Sequence, residues 1–239
     1  MKNAAIILCA GSGKRMRGCV TDKILADLKG VPVLGHSLKA FSESGSVQKI
    51  VFVCRDDEQK KCLEDIAGMY CPDMECSFAP GGAERQDSVL NGLENLGEGS
   101  GLVFIHDAAR PLAGAENIRR MEKAAAEDGA AVLAARVVDT IKQAGGDPSD
   151  TRHKALHDLD RKTLWAMQTP QVFEKNLILA AYREIKNRGL QITDDVAAAA
   201  HCGHRITLVE NFSPNPKVTA PEDLAYIEYL MDKAQTWQK

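Results

Sequence analysis

No run in this chain is apolar for the roughly 20 residues that crossing a bilayer takes, so a membrane-spanning helix is excluded. The seven cysteines (Cys9, Cys19, Cys54, Cys62, Cys71, Cys76 and Cys202) form no C-x-x-C pair, and their number is odd. That excludes the common zinc spacings and a disulfide framework, and the residues read as reduced thiols of a cytoplasmic protein. Neither sign of charge dominates, because 30 Lys and Arg face 33 Asp and Glu for a formal charge of −3. No global field draws the protein onto nucleic acid, and any bound anion must be met by a local cationic pocket. Internal repeats and low-complexity linkers are missing as well. Lys2 and the apolar run 4–10 imitate a signal peptide, but the run is seven residues long with Lys14 and Arg15 close behind it, which fits a first buried strand.

What is present is the composition of an ordinary globular protein, 44% hydrophobic and 26% charged over 239 residues. One domain over 1–239 is expected, with no fused second domain. Short apolar runs at 4–10, 49–54, 76–80, 102–106, 130–137 and 205–210 predict strands. Helical patterns lie between them: Leu34, Ser37, Leu38 and Phe41 after Pro32, then 57–68, 84–96, 115–128, 174–188, 193–202 and 221–236. Strands that are apolar throughout are buried on both faces, so the fold class is α/β, a mostly parallel sheet flanked by helices. Ligands are then expected beyond the carboxyl ends of the strands. One segment breaks the alternation, with extended runs at 139–144 and 153–159 around "GGDPSD". It predicts a projecting β-hairpin, which needs a partner surface such as a second subunit.

Four groups of residues have the chemistry of a phosphate site. The first is "CAGSGKRM" (9–16), where Ala10, Gly11 and Gly13 let backbone N–H groups approach phosphate oxygens and Arg15 offers donors to a triphosphate. It has neither the third glycine of a dinucleotide fingerprint nor P-loop spacing, and alone it reads equally as a tight turn with two solvated cations. The second is "PGGAERQDSVLNGL" (80–93), in which Gly82, a helix N-terminus and Ser88 can contact a nucleotide or simply cap the helix. The third is "VFIHDAARP" (103–111), where Asp107 is placed to hold a Mg²⁺ that bridges phosphates, with an N-cap as the competing role. His106 reads as a structural histidine. The fourth is a scatter of Thr140, Arg161, Thr169, Thr193, Asp194 and Lys217, which together suit a second, phosphate-bearing polyol substrate.

In order, "CAGSGKRM", "GGAERQDSV", "HDAARP", "DTIK", "TPQVF", "ITDD" and "KVTAPEDL" resemble the 2-C-methyl-D-erythritol 4-phosphate cytidylyltransferase family, from about residue 4 to residue 230. The resemblance implies a nucleotide-diphospho-sugar-transferase-like fold and a homodimer held by an arm at 138–160. It also implies Mg²⁺-dependent transfer of CMP from CTP to methylerythritol phosphate in the non-mevalonate isoprenoid pathway. By similarity Arg15 and Lys23 stabilise charge on the triphosphate, while Ala10, Gly11, Gly13, Gly82, Ser88, Asp107 and Ala108 line the CTP site. Arg161 and Lys217 position the acceptor, helped by Thr169, Thr193 and, across the dimer, Arg110 and Thr140. Two departures stand out. Lys23 lies in an Asp-Lys-Ile setting where the family has Pro-Lys-Gln, one residue further from Arg15, with Lys14 as its substitute. Cys9 stands where proline or alanine is usual, and no thiol chemistry is inferred for it. The alternatives are a ribitol-5-phosphate cytidylyltransferase, a nicotinamide-binding oxidoreductase and a catalytically dead nucleotide-binding regulator. The oxidoreductase lacks support from the missing third glycine and from the second strand, which ends without an acidic residue.

Overall fold

The computed structural model describes residues 2–11 and 22–237. Chain order runs β1 (Lys2–Leu8), a small hairpin of β2 (Asp27–Leu28) and β3 (Val31–Pro32), α1 (Val33–Ser44), β4 (Lys49–Cys54), α2 (Asp57–Tyr70), β5 (Glu75–Pro80) and α3 (Arg85–Asn95). It continues through β6 (Ser100–Asp107), α4 (Ala115–Asp128), β7 (Ala130–Arg136), β8 (Lys142–Ala144), β9 (Leu156–Asp158), β10 (Trp165–Glu174), α5 (Lys175–Asn187), α6 (Asp195–His201), β11 (Thr207–Glu210) and α7 (Glu222–Trp237). Seven strands form one sheet in the order β11-β7-β10-β6-β1-β4-β5. The expected α/β class holds, and its cause is visible in β1. Ala5 and Ile7 pack into one core with residues of α1, α2, α4 and α7, while Ala4 and Ile6 pack into the other with α3, α5 and α6. Burial on both faces is why these strands read as continuous apolar runs.

Local chemistry sets the element ends. Asp56 caps α2 by accepting from the Gln59 backbone N–H at 2.7 Å, and Gly45 closes α1 in the left-handed region at φ 69°. Gly92 lets α3 lie directly on the sheet, because a Cβ there would meet Ile6 Cγ2 at 2.7 Å. This contact brings the N-terminus of α3 over the ends of β1 and β4.

Three expectations are corrected. Strand β10 has no counterpart among the predicted strands, and it pairs antiparallel with both β6 and β7. Its Thr169-Pro170 sits where the β7 register shifts between Met167 and Gln171; a proline inside a run demotes it as a strand in any sequence reading. The hairpin is present but shorter than 139–144 and 153–159, with only Lys142↔Asp158, Gln143↔His157 and Ala144↔Leu156 paired. Strand β1 also ends at Leu8 rather than residue 10, which frees Cys9, Ala10 and Gly11 for the loop beyond it.

Candidate active site

From β1 the chain passes to β4 and β5 on one side, then returns to β6 on the other. Connections therefore diverge beyond the carboxyl ends of β1 and β6, the place where open α/β sheets bind ligands. A cleft of about 480 Å³ lies there, lined by Ala10 and Gly11 after β1, Lys23, Gly82 to Arg85 and Ser88 after β5, Asp107 and Ala109 after β6, and Lys217. Glycine is required where the β5 loop meets the β1 exit: a Cβ on Gly81 would stand 2.6 Å from Ala10 Cβ, and one on Gly82 would stand 2.2 Å from Asp87 Cβ. The Gly82 N–H donates to Ser88 Oγ at 2.9 Å, and the Ser88 hydroxyl donates to the Glu84 carbonyl at 3.3 Å. Ser88 thus shapes the loop as well as lining the cleft.

The cations are built around buried carboxylates. Arg85 occupies the first turn of α3, where the helix dipole disfavours a cation, and it is held there by anions. Its guanidinium donates to both Asp195 oxygens at 2.9 and 2.8 Å, and its Nε lies 3.6 Å from Asp107. Asp195 is fully buried and also accepts from the Tyr182 hydroxyl at 2.5 Å. Lys217 donates to Asp107 Oδ2 at 2.7 Å, and Arg110 Nε stands 3.7 Å from the same oxygen. Burial pushes the Asp107 carboxyl up, but Lys217, Arg85 and Arg110 outweigh it and hold it well below the usual carboxylate range. Burial works against the Arg85 charge too, and Asp195 and Asp107 more than restore it. Three cations against two carboxylates leave the cluster net positive, before Lys23 is added.

His106 is structural, as the sequence suggested. It is fully buried, its Nδ1 is 3.1 Å from Thr169 Oγ1, its Nε2 is 3.3 Å from Ser37 Oγ, and its ring meets Phe41 edge-on. Burial lowers its pKa to about 4. The unfolded imidazole titrates near ~6.5, so the unfolded chain takes the proton first. This contribution to stability is whole above that value and is lost as pH falls towards 4. Between pH ~7.5 and ~5 it amounts to about 2 kcal/mol. Asp107, whose pKa is depressed, loses its own contribution only below the ordinary carboxylate value of ~3.9. Urea unfolding across that pH window is expected to show a slope that His106→Gln flattens; an unchanged slope in the variant contradicts the assignment.

The donor set bears on Mg²⁺. Among the described residues no group of three or more His, Cys, Asp or Glu side chains is gathered to hold a metal. Two carboxylates line the cleft, Glu84, whose side chain is engaged in the capping box of α3, and Asp107, and the latter fits the mode in which Mg²⁺ keeps several waters and is carried by one carboxylate plus substrate phosphates.

The structure brings Ala10, Gly11, Lys23, Gly82, Ser88, Asp107 and Lys217 to one cleft. Gly13, Lys14 and Arg15 lie outside the described residues. The other expected residues stand outside this cleft or behind its wall. Ala108 does not line the cleft: it is fully buried, its N–H donates to the Leu8 carbonyl at 3.3 Å, and Ala109 lines the cleft instead. Thr169 is 4% exposed, and its hydroxyl meets His106 Nδ1 and accepts from the Asp107 N–H, which fixes the end of β6. Arg110 stands behind Asp107, its Nε 3.7 Å from Asp107 Oδ2 and its Nη1 donating to the Asn215 carbonyl at 2.7 Å. Thr140, Arg161 and Thr193 are exposed and do not line the cleft, and Arg161 donates to the Val138 carbonyl at 2.9 Å. Asp194 caps α6 through the Ala197 N–H. The sequence reading missed Arg85 and Asp195; a cation in the first turn of a helix was the available signal, since it demands an anion nearby.

Comparison with known proteins follows the same geometry. Residues 3–233 match the family model described as 2-C-methyl-D-erythritol 4-phosphate cytidylyltransferase. A relative of that name, chloroplastic, from Oryza sativa subsp. japonica is 39% identical over 96% of this chain and 74% of its own length. Another from Shouchella clausii is 37% identical over 98% of this chain and 99% of its own. Among solved structures, 4-diphosphocytidyl-2C-methyl-D-erythritol synthase from Anaerococcus prevotii superposes with TM-score 0.83 at 26% identity, covering 97% of this chain and 96% of that one. The cytidylyltransferase from Thermus thermophilus gives 0.74 at 26% identity, with 96% and 98% covered. The architecture is the nucleotide-diphospho-sugar-transferase-like fold.

Proposed function

The chain belongs to the 2-C-methyl-D-erythritol 4-phosphate cytidylyltransferase family, and from that premise we propose how its cleft carries out the transfer. It is a nucleotidyltransferase of isoprenoid biosynthesis that moves CMP from CTP onto 2-C-methyl-D-erythritol 4-phosphate. The phosphate of the acceptor attacks the α-phosphorus of CTP, and pyrophosphate leaves. A phosphate monoester is largely dianionic at neutral pH, so the attacking oxygen needs no base. The obstacle is bringing one anion against another, and the observation that carries the reading is the convergence of Lys23, Arg85 and Lys217 on one glycine-floored cleft.

In this assignment Ala10, Gly11, Gly13, Gly82 and Ser88 cradle CTP, and Arg15 and Lys23 take up charge as the bond to pyrophosphate breaks. Each well-aimed donor of this type is worth ~3–4 kcal/mol in the transition state, or 10²–10³ in rate. Lys217 and Arg161 hold the acceptor phosphate, with Thr193 and Thr140 beside its hydroxyls. Asp107 would hold Mg²⁺ against the triphosphate, where the ion neutralises phosphate charge. The protein acts as a homodimer, with 138–160 as the dimerisation arm of a domain spanning 1–239. Support comes from the apolar side chains that the arm exposes, among them Val138 at 79% and Leu156 at 60%. Arg110 and, on the arm, Thr140 then serve the other protomer's cleft, while Arg161 is tied to the arm through the Val138 carbonyl. The reaction is placed in the cytoplasm, in keeping with free thiols at every described cysteine.

Pyrophosphate release on mixing the protein with CTP, Mg²⁺ and each acceptor in turn tests the reading. Release is expected with 2-C-methyl-D-erythritol 4-phosphate; release with ribitol 5-phosphate alone overturns the acceptor, and none with either acceptor leaves only a nucleotide-binding regulator.

A further inference from the structure

Lys23 borders the cleft one residue after Asp22, a carboxylate that is 5% exposed. Both ends of Asp22 are used to set the turn that carries the lysine. Its Oδ1 accepts from the Ile24 N–H at 3.2 Å, and its carbonyl accepts from the Leu25 N–H at 3.1 Å, so Lys23 is enclosed in an Asx-type turn. The Ile24 carbonyl then accepts from Leu34 N at the start of α1, at 2.9 Å.

The other carboxylate oxygen is tied into the sheet. Asp22 Oδ2 accepts from Gln59 Nε2 at 2.6 Å and lies 3.4 Å from Arg55 Nη2. Gln59 occupies the third position of α2, where a glutamine ordinarily reaches back to the N–H of the cap residue. Here it reaches one residue further: its Oε1 accepts from the Arg55 N–H at 2.7 Å, just past the end of β4. Its second Nε2 hydrogen goes to the Cys9 carbonyl at 3.0 Å, at the exit of β1. A single amide, 3% exposed, thus joins three things: the glycine loop that floors the cleft, the end of β4 and the turn that presents Lys23. Every hydrogen-bonding atom of the Gln59 amide is spent on this linkage. Capping of α2 is provided by Asp56 and does not depend on it.

We infer that Asp22 and Gln59 are positioning residues that hold the Lys23 ammonium at the triphosphate end of the cleft, by fixing its turn to the β1 exit. The inference rests on the reading of Lys23 given above. Neither residue touches substrate; each acts through the lysine. Displacing a charge-stabilising group by about an ångström costs on the order of 10²-fold in rate, so Asp22→Ala is expected to lower kcat about 10- to 100-fold.

The decisive experiment is a double-mutant cycle on pyrophosphate release, with Asp22→Ala made in the wild type and in Lys23→Ala. A positioning role predicts that the Asp22 effect shrinks to less than about twofold once the lysine is gone. A role confined to stability leaves the Asp22 effect equal in both backgrounds. Asp22→Asn and Gln59→Glu, of nearly unchanged shape, are measured alongside in case Asp22→Ala fails to fold. Asn keeps the bond to Ile24 and is expected to lose less than Ala; Glu turns a carboxylate towards Asp22 and is expected to lose kcat, again only when Lys23 is present. If Lys23→Ala loses turnover but the cycle is additive, or if these variants turn over normally, the positioning inference is overturned. If Lys23→Ala itself turns over normally, the reading of Lys23 has failed first, which is a different result.

Discussion

Lys217→Ala lowers turnover by about 10²–10³-fold while leaving the protein folded. The loop that carries Lys217 is anchored by its neighbours rather than by the lysine: the Val218 N–H donates to the Ala109 carbonyl at 2.8 Å, and the Asn215 amide donates to the Thr169 carbonyl at 3.1 Å. Removing the side chain takes one charge-assisted hydrogen bond from Asp107, worth about 1.5–3 kcal/mol, yet Arg85 and Arg110 still face that carboxylate. The folding loss is therefore bounded by that one bond and leaves the chain folded, while turnover loses a cation at the cleft wall, where an acceptor phosphate has to approach CTP. Steady-state kinetics with both substrates varied, together with a melting curve, check it. Turnover within a few-fold of wild type would remove Lys217 from the site.

Arg85→Met has a large effect on stability, whatever it removes from the cleft. Asp195 is fully buried and has the Arg85 guanidinium and the Tyr182 hydroxyl as partners. Without Arg85 its charge has no counterion, and stranding one partner of a buried pair costs about 3–5 kcal/mol. The cleft gives water a route to the vacated space, which favours the lower end, near ~3 kcal/mol. For a chain of this size that is a fall in melting temperature of about 6–12 °C. Asp195→Asn in the same molecule is expected to recover much of the loss, because the uncompensated charge is gone. A melting temperature of Arg85→Met unchanged from wild type would show that the ion pair contributes nothing to folding.

How much of this was legible in the sequence follows from which interactions are local. The strands on either side of the cleft were readable because β1, β4, β6 and β7 are buried on both faces and carry unbroken apolar runs. Cleft loops were readable as glycine-rich segments directly after such strands, and His106 as a buried histidine. Strand β10 was not, because Gln168, Thr169 and Pro170 break the apolar pattern and its pairing partners lie on β6 and β7. The setting of Lys23 shows the same boundary. Asp22 reads as a departure from the family's proline, yet its carboxylate meets Gln59, 37 residues away.

The amino-acid sequence by itself determined the α/β class, the loops that gather at the strand ends and the family, since these depend on apolar periodicity and on short ordered motifs. Only the tertiary structure decided which charges meet. Asp107 with Lys217, Arg85 with Asp195, and Asp22 with Gln59 are brought together by sheet order and helix packing across 110, 110 and 37 residues of chain. Ion pairs and hydrogen bonds depend on distances of a few ångströms, and no spacing along the chain encodes those.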